Sequence, residues 1–120
     1  MSIVALVTDL MFSSRIMAEA RAVGAKVKIV RSLQSVYEQL TTGQFTTLII
    51  DLNTDGIDVI EAIRATRNAA SQTRIVCFVS HVQADLIQAA REAGAHEVMA
   101  RSAFVTKLTA LLADSVEQSR

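Results

Sequence analysis

The sequence predicts an α/β fold in which five strand–helix units form one parallel sheet. Short runs rich in β-branched apolar residues alternate with longer segments whose apolar residues recur at helical spacing, which is typical of βα repeats. Several of the short runs are apolar almost without interruption, as expected for strands that are buried on both faces. Helices must then cover both faces of the predicted sheet.

Five short segments have the composition of strands, and the first, third and fourth are nearly continuous apolar runs. The predicted strands are Ile3–Val7, Lys26–Val30, Thr47–Ile50, Arg74–Val79 and His96–Ala100. The fourth contains Cys77, the single cysteine of the chain, which has no partner for an internal disulfide. We therefore expect Cys77 to be a small buried apolar residue.

The first two helices are predicted from capping residues and apolar spacing. We expect the first helix to begin at Ser13 or Ser14 and to stop at Gly24. The second is expected from Leu33 to Leu40. Gly24 then leads into the second strand.

The remaining three helices have equally local signals. Asp58 is a good N-cap for the third helix, and Glu61 follows three residues later, in the pattern of a capping box. The fourth helix is expected over Ala84–Ala93, ending at Gly94. The fifth carries one stripe of inward-facing residues. That stripe consists of Phe104, Leu108, Leu111, Leu112 and Ser115.

Right-handed crossovers, together with helices on both faces, leave few ways to arrange five such units. The commonest is the flavodoxin-like, doubly wound (βα)5 parallel sheet with strand order 2-1-3-4-5. This order makes the first and third strands neighbours, and functional sites in such sheets form at the carboxyl ends of the strands. We expect residues 1–120 to form a single domain of this kind.

Composition excludes several classes of partner. Twelve basic and twelve acidic residues give no net charge, so we expect no direct binding of nucleic acid. No apolar stretch reaches the roughly 18 residues needed to cross a bilayer, and the first residues lack the pattern of a signal peptide. We therefore expect a cytoplasmic protein without a membrane partner.

Polar residues stand at the ends of the predicted strands, where a functional site is expected. They are Thr8 and Asp9 after the first strand, Asp51 after the third, Ser80 after the fourth and Arg101 after the fifth. Because the first and third strands are predicted neighbours, the carboxylates of Asp9 and Asp51 can approach each other. Paired carboxylates of this kind suit a hard cation such as Mg²⁺, which prefers oxygen ligands.

Three longer segments carry a resemblance over essentially the whole chain. In the first segment, LIIDLNTDGIDVIEAIR, a strand ends in Asp51 and Gly56 follows five residues later. In the second, RIVCFVSH, a strand is followed by the hydroxyl residue Ser80. The third, REAGAHEVMARSAF, leads into the fifth strand. Together they resemble the receiver domains of two-component response regulators, of the chemotaxis-regulator type.

The resemblance implies a role for each residue at the strand ends. Asp51 would accept a phosphoryl group from the phosphohistidine of a histidine kinase or phosphotransfer protein. Mg²⁺ would be held by Asp9, Asp51 and the carbonyl of Asn53. Ser80 would hydrogen-bond the phosphoryl group, and Arg101 stands in the place of the family's lysine. Phosphoryl transfer depends on such positioning and charge cancellation more than on covalent help.

Four positions depart from the pattern of the receivers. Thr8 replaces one of two adjacent acids, so the sequence predicts weakened Mg²⁺ binding. Arg101 keeps the charge of the lysine but has a broad planar head group. Ser102 stands where a proline usually follows, and Val98 stands where an aromatic residue usually acts as a switch.

Three functional hypotheses follow. The first is a signal-transduction receiver domain of a phosphorelay, whose state at Asp51 biases a partner-binding face. That face would be formed by the fourth helix, fifth strand and fifth helix, and would include Arg91, Val98 and Lys107. The second is a pseudo-receiver that serves as an interaction or homodimerisation module independently of phosphorylation. The third is a small flavodoxin-like enzyme or cofactor binder, which the sequence disfavours because it contains no glycine-rich phosphate loop.

Other candidate residues have simpler interpretations. Asp55 could add negative charge to the pocket but also suits a turn before Gly56. Ser13 and Ser14 could bind a phosphate at a helix N-terminus, although ordinary N-capping explains them better. No Walker loop, GxGxxG or HExxH motif occurs, so we expect a signalling protein rather than an independent enzyme.

Overall fold

The computed structural model describes residues 2–118, and strands alternate with helices throughout. The elements are β1 (Ser2–Leu6), α1 (Leu10–Val23), β2 (Val27–Val30), α2 (Leu33–Thr42), β3 (Phe45–Asp51), α3 (Val59–Ala69), β4 (Arg74–Val79), α4 (Ala84–Ala93), β5 (Glu97–Ala100) and α5 (Arg101–Gln118). The bounds of β4 and α4 agree with the prediction, and most other ends differ by one or two residues.

All five strands pair in parallel in the order β2-β1-β3-β4-β5, which confirms the predicted flavodoxin-like topology. The pairing places Ala5 of β1 opposite Ile29 of β2 and Ile49 of β3. The most apolar strands therefore occupy the middle of the sheet. The first and third strands are neighbours, as the site prediction requires.

Alternate side chains of the central strands enter two separate cores because successive residues of a strand point to opposite faces. Ile3, Ala5 and Ile49 pack under α1 and α5. Val4 and Leu48 pack under α2, α3 and α4. Each fully buried Leu or Ile stabilises the fold by about 1.5–3 kcal/mol relative to exposure.

Cys77 lies in the core formed with α2, α3 and α4, as predicted. Burial raises the pKa of its thiol to about 12. The thiol is therefore protonated at neutral pH, and Cys77 acts as an apolar packing residue.

The predicted start of α1 is wrong. Asp9 is the N-cap, its side chain accepts a hydrogen bond from the backbone N–H of Phe12, and the helix begins at Leu10. Ser13 lies inside the helix, where it is buried and donates its hydroxyl to the carbonyl of Leu10. An Asp at the strand end caps a helix as well as a serine does, so two valid signals competed. The suggested phosphate site at Ser13 and Ser14 therefore has no helix terminus to support it.

The start of α3 agrees with the prediction. The Asp58 side chain accepts a hydrogen bond from the backbone N–H of Glu61, which satisfies one of the free donors in the first turn. The carboxylate of Glu61 accepts hydrogen bonds from Tyr37 and Arg64. Glu61 therefore joins α3 to α2.

The inward-facing stripe predicted for α5 is confirmed. All five of its residues are buried, and they face α1 and the central strands. The helix begins at Arg101, directly after β5, so Ser102 lies in its first turn. Within residues 2–118, none of the helices combines the length and the apolar character that crossing a membrane requires.

Candidate functional site

Asp9 and Asp51 lie at the same edge of the sheet, because β1 and β3 are parallel neighbours. Asp51 is the last residue of β3 and is only 8% exposed, whereas Asp9 follows β1 and caps α1. Both line an open cavity of about 750 Å³. Thr8, Ser80 and Arg101 line the same cavity, so the structure brings together the residues expected at the strand ends.

The carboxylate of Asp51 is held by its own loop. Its Oδ1 accepts a hydrogen bond from the backbone N–H of Asn53, at 3.0 Å. Burial raises the pKa of Asp51 above its ordinary value, and the nearby charge of Asp9 acts in the same direction. The N–H of Asn53 and the guanidinium of Arg101 oppose this rise. The environment of Asp51 therefore disfavours an additional negative charge unless another cation or donor accompanies it.

The carboxylate of Asp9 makes two contacts, one through each oxygen. Oδ1 accepts the N–H of Phe12 at 3.0 Å, and Oδ2 lies 3.4 Å from Nη2 of Arg101. The hydrogen bond from Phe12 is the main cause that lowers the pKa of Asp9, and Arg101 lowers it further. Asp9 is therefore a fixed anion at the mouth of the cavity.

Arg101 reaches the cavity from the first turn of α5. Its guanidinium carbon lies 4.0 Å from the centre of the Phe12 ring, and Nη1 lies 3.4 Å from Oγ of Ser80. Phe12 itself packs against Phe78 and Phe104, with ring centres 5.0 and 5.9 Å away. The aromatic cluster therefore supports the face on which the guanidinium lies, in the geometry of a cation–π contact.

Asn53 has a contact that the sequence analysis did not predict. Its side-chain oxygen accepts hydrogen bonds from the backbone N–H groups of Ser80, at 2.6 Å, and His81, at 3.1 Å. The side chain thereby joins the loop after β3 to the loop after β4. Only the carbonyl of Asn53 had been assigned a role. An asparagine next to a strand end is a known loop former, but its distant partners leave no local sequence signal.

Two other residues of the loop after β3 also have defined places. Gly56 has a φ of 75°, in the left-handed region that a glycine occupies without steric cost. Asp55 is exposed and lines the cavity beside Asp51. The cavity wall thus contains three carboxylates and one guanidinium.

The oxygen atoms at this edge are of the kind that a small hard cation prefers. Asp9, Asp51 and the backbone of Asn53 supply oxygen donors, and the open cavity leaves space for water ligands. Within the described part of the chain, however, no group of three or more acidic, histidine or cysteine side chains is arranged to hold a metal.

The predicted partner-binding face is only partly exposed. Arg91 of α4 and Lys107 of α5 are exposed, whereas Val98 of β5 is half-buried and packs against the core under α4. β5, the strand of this predicted face, lies at the edge of the sheet.

The described geometry can be compared with that of known proteins. No family model matches the sequence, and no curated protein matches it. The structure is similar to a response regulator receiver domain from Methanospirillum hungatei, with a TM-score of 0.80 and 11% identity over 98% of this chain and 97% of the other. The chain has the fold of response-regulator receiver domains.

Other structures with the receiver fold are also similar to this chain. A chemotaxis response regulator of Vibrio cholerae matches with a TM-score of 0.74 and 13% identity, covering 89% of this chain and 97% of that one. A response regulator from Burkholderia pseudomallei, solved with a phosphorylated aspartic acid, a calcium ion and citrate, matches with a TM-score of 0.77 and 12% identity. That match covers 99% of this chain and 75% of the other. At such low identity the receiver fold alone is shared.

Proposed function

We propose that this chain is a signal-transduction receiver domain of a phosphorelay in which Asp51 is the phosphoacceptor. The observation that carries the proposal is the position of the Asp51 carboxylate, at the end of β3 in one cavity with Asp9, Ser80 and Arg101. A nucleophilic oxygen is thereby surrounded by the three kinds of group that phosphoryl transfer uses: an anion able to hold a cation, a hydroxyl and a fixed positive charge.

In the proposed reaction, one carboxylate oxygen of Asp51 forms a bond to phosphorus while the phosphorus–nitrogen bond of a phosphohistidine breaks. The electron pair of that bond stays on the imidazole nitrogen, which takes up a proton from water. Asp51 becomes an acyl phosphate. The hydroxyl of Ser80 and the guanidinium of Arg101 then donate hydrogen bonds to the phosphoryl oxygens.

Mg²⁺ would be held by Asp9, Asp51 and the carbonyl of Asn53. When bound, it would cancel part of the charge that develops on the phosphoryl oxygens. Because Thr8 replaces an acid, we expect affinity weaker than a pocket with one more carboxylate would give. The Burkholderia pseudomallei structure, with its phosphorylated aspartic acid and calcium ion, supports this chemistry for the receiver fold.

The proposed output is a change of protein contacts. A histidine kinase or phosphotransfer protein in the cytoplasm would supply the phosphoryl group. The face of α4, β5 and α5, with exposed Arg91 and Lys107, would bind a downstream protein or a second copy of the chain. A receiver domain solved as a beryllofluoride-activated dimer has the same fold, with a TM-score of 0.77.

The test is incubation with acetyl phosphate and Mg²⁺, followed by intact-mass measurement. We expect the wild type to gain the mass of one phosphoryl group, and the gain to disappear on treatment with hydroxylamine, which cleaves acyl phosphates. Asp51→Asn should show no gain, whereas Asp114→Asn, a matched change at an exposed position of α5 outside the cavity, should label like the wild type. An unlabelled wild type with an intact fold would contradict the proposal.

One observation favours a second candidate function, the phosphorylation-independent pseudo-receiver. Asp9 is paired with Arg101, and Thr8 contributes no charge, so the pocket already contains its own counter-ion. In that case the receiver fold would serve as an interaction or homodimerisation module. Beryllofluoride with Mg²⁺ separates the two functions, since a pseudo-receiver would show unchanged amide resonances and an unchanged dimerisation constant.

A further inference from the structure

The cation site and Arg101 make use of the same oxygen atom. Oδ1 of Asp9 is occupied by the N–H of Phe12, which caps α1. The other oxygen, Oδ2, faces Nη2 of Arg101 at 3.4 Å. A divalent cation bound through Oδ2 would therefore lie beside the guanidinium, and the two positive charges would repel each other unless Arg101 moves away. Replacing the cap would leave an N–H without a partner in the first turn of α1, so the guanidinium is the group that can leave at lower cost.

Arg101 is held in this position from three directions. The side chain of Arg101 is 34% exposed and that of Asp9 is 42% exposed. An ion pair as exposed as this is weak by itself. The guanidinium also lies over the Phe12 ring and within reach of Ser80 Oγ. These contacts fix its orientation, so little side-chain entropy remains to be lost when it pairs with Asp9.

We propose that Arg101 is an internal competitor of the divalent cation, so that the site binds a cation only when Arg101 leaves Asp9. The inference rests on the proposed function, because it concerns the same cation site. Two positive charges facing one carboxylate oxygen repel each other, so cation binding at Oδ2 of Asp9 favours departure of the guanidinium.

The competition couples cation binding to other parts of the site. Because one guanidinium makes all three contacts, we expect its departure from Asp9 to change its contacts with the Phe12 ring and the hydroxyl of Ser80 as well. Arg101 is the first residue of α5, and Ser80 is the first residue after β4. Cation binding therefore changes the surroundings of α1, of the loop after β4 and of the first turn of α5 together. In this proposal, the contacts of Arg101 in the unphosphorylated protein regulate cation binding.

The test is a titration with Mg²⁺ alone, followed by ¹H–¹⁵N NMR of backbone amides and of arginine Nε–H groups. Arg101→Met should bind Mg²⁺ about tenfold more tightly than the wild type. Arg21→Met, a matched change at an exposed arginine of α1 outside the cavity, should bind like the wild type. Arg101→Gln provides a second variant if the methionine variant fails to fold, as judged by thermal unfolding.

A second readout separates competition from a general loss of positive charge. In the wild type, Mg²⁺ should shift the Arg101 Nε–H resonance and the Phe12 ring resonances along the same binding curve as the Asp51 amide. Mg²⁺ binding that leaves the Arg101 and Phe12 signals unchanged would overturn the proposal. So would equal affinity of the wild type and Arg101→Met, or failure of both to bind at millimolar Mg²⁺.

The titration contains no phosphodonor, so its outcome is independent of whether Asp51 is phosphorylated. A wild type that fails to label with acetyl phosphate, together with an Arg101→Met variant that binds Mg²⁺ more tightly, would remove the proposed function and leave the competition intact. If Asp51 is labelled but the wild type and Arg101→Met bind Mg²⁺ equally well, the competition is removed and the proposed function stands.

Discussion

The side-chain oxygen of Asn53 lies 2.6 Å from the backbone nitrogen of Ser80, and it also accepts the N–H of His81. One asparagine thus fixes the relative position of the two loops that carry the candidate phosphoacceptor and its hydroxyl partner. Asp51 accepts the backbone N–H of the same residue. The loop after β3 therefore orients the site through both the main chain and the side chain of Asn53.

Asn53→Ala should release the loop after β4. We expect the amides of Ser80 and His81 to exchange with solvent deuterium faster than in the wild type, and the free energy of unfolding to fall by about 1 kcal/mol. Asn68→Ala, at an exposed position of α3, is the control and should leave both amides unchanged. Unchanged exchange at Ser80 in Asn53→Ala would show that the side chain does not hold the loop.

Asp51→Asn should stabilise the protein at neutral pH. Burial raises the pKa of Asp51 above its ordinary value of 3.8, so the folded state binds the proton more tightly than the unfolded state does. The free energy of unfolding contributed by this group is therefore highest at low pH. It falls as pH rises from 3.8 through the raised pKa of the folded state.

The measurement is urea unfolding of the wild type and Asp51→Asn across this pH range. The advantage of the asparagine variant should be fully present at pH 7 and should shrink as pH falls toward the ordinary pKa. Asp55 is exposed, so the control Asp55→Asn should change the free energy of unfolding by no more than about 0.5 kcal/mol. A wild type more stable than Asp51→Asn at pH 7 would contradict the assigned sign.

The same substitution should have opposite effects at two buried threonines. Within the described residues, the hydroxyl of Thr66 has no hydrogen-bond partner, although the residue is fully buried in α3. The hydroxyl of Thr73 donates to the carbonyl of Phe45 at 2.8 Å. Thr66→Val should therefore raise the free energy of unfolding by about 1 kcal/mol, and Thr73→Val should lower it by about 1–3 kcal/mol. Thermal unfolding measures both, and a loss of stability in Thr66→Val would indicate a missed partner for its hydroxyl.

Two glycines should respond differently to replacement by alanine. Gly94 has a φ of 122°, and a β-carbon there would lie 2.3 Å from Cγ of Arg67. Gly43 has a φ of −161°, which is extended backbone, and a β-carbon there would meet nothing within 4 Å. Gly94→Ala should cost about 1–3 kcal/mol of unfolding free energy, whereas Gly43→Ala should be neutral or stabilise by about 0.4–1 kcal/mol.

A double variant, Gly94→Ala with Arg67→Ala, separates the clash from the backbone strain. The second substitution removes the colliding side chain and should recover only part of the lost stability, because the φ remains unfavourable for alanine. Complete recovery would assign the whole cost to Arg67. Equal melting temperatures for Gly94→Ala and Gly43→Ala would contradict the role given to Gly94.

Local sequence patterns determined the order of elements, the parallel sheet and the edge at which the site lies. An apolar run such as that of β4 is typical of a strand that is buried on both faces, in the middle of a sheet. The polar residue after each run marks the carboxyl end of the strand. The positions of Asp9, Asp51 and Ser80 around one cavity follow from this connectivity. The Asp58 cap and the buried stripe of α5 were also readable because their signals lie within one helix.

Only the tertiary structure decided which groups contact each other inside the site. The pairing of Arg101 with Asp9 joins residues 92 positions apart in the sequence, and it depends on the Phe12 ring that supports the guanidinium. The contact of Asn53 with Ser80 spans 27 positions. A long polar side chain can reach several partners at similar distances. The packing of neighbouring elements determines which partner it contacts, and no local sequence pattern encodes that packing.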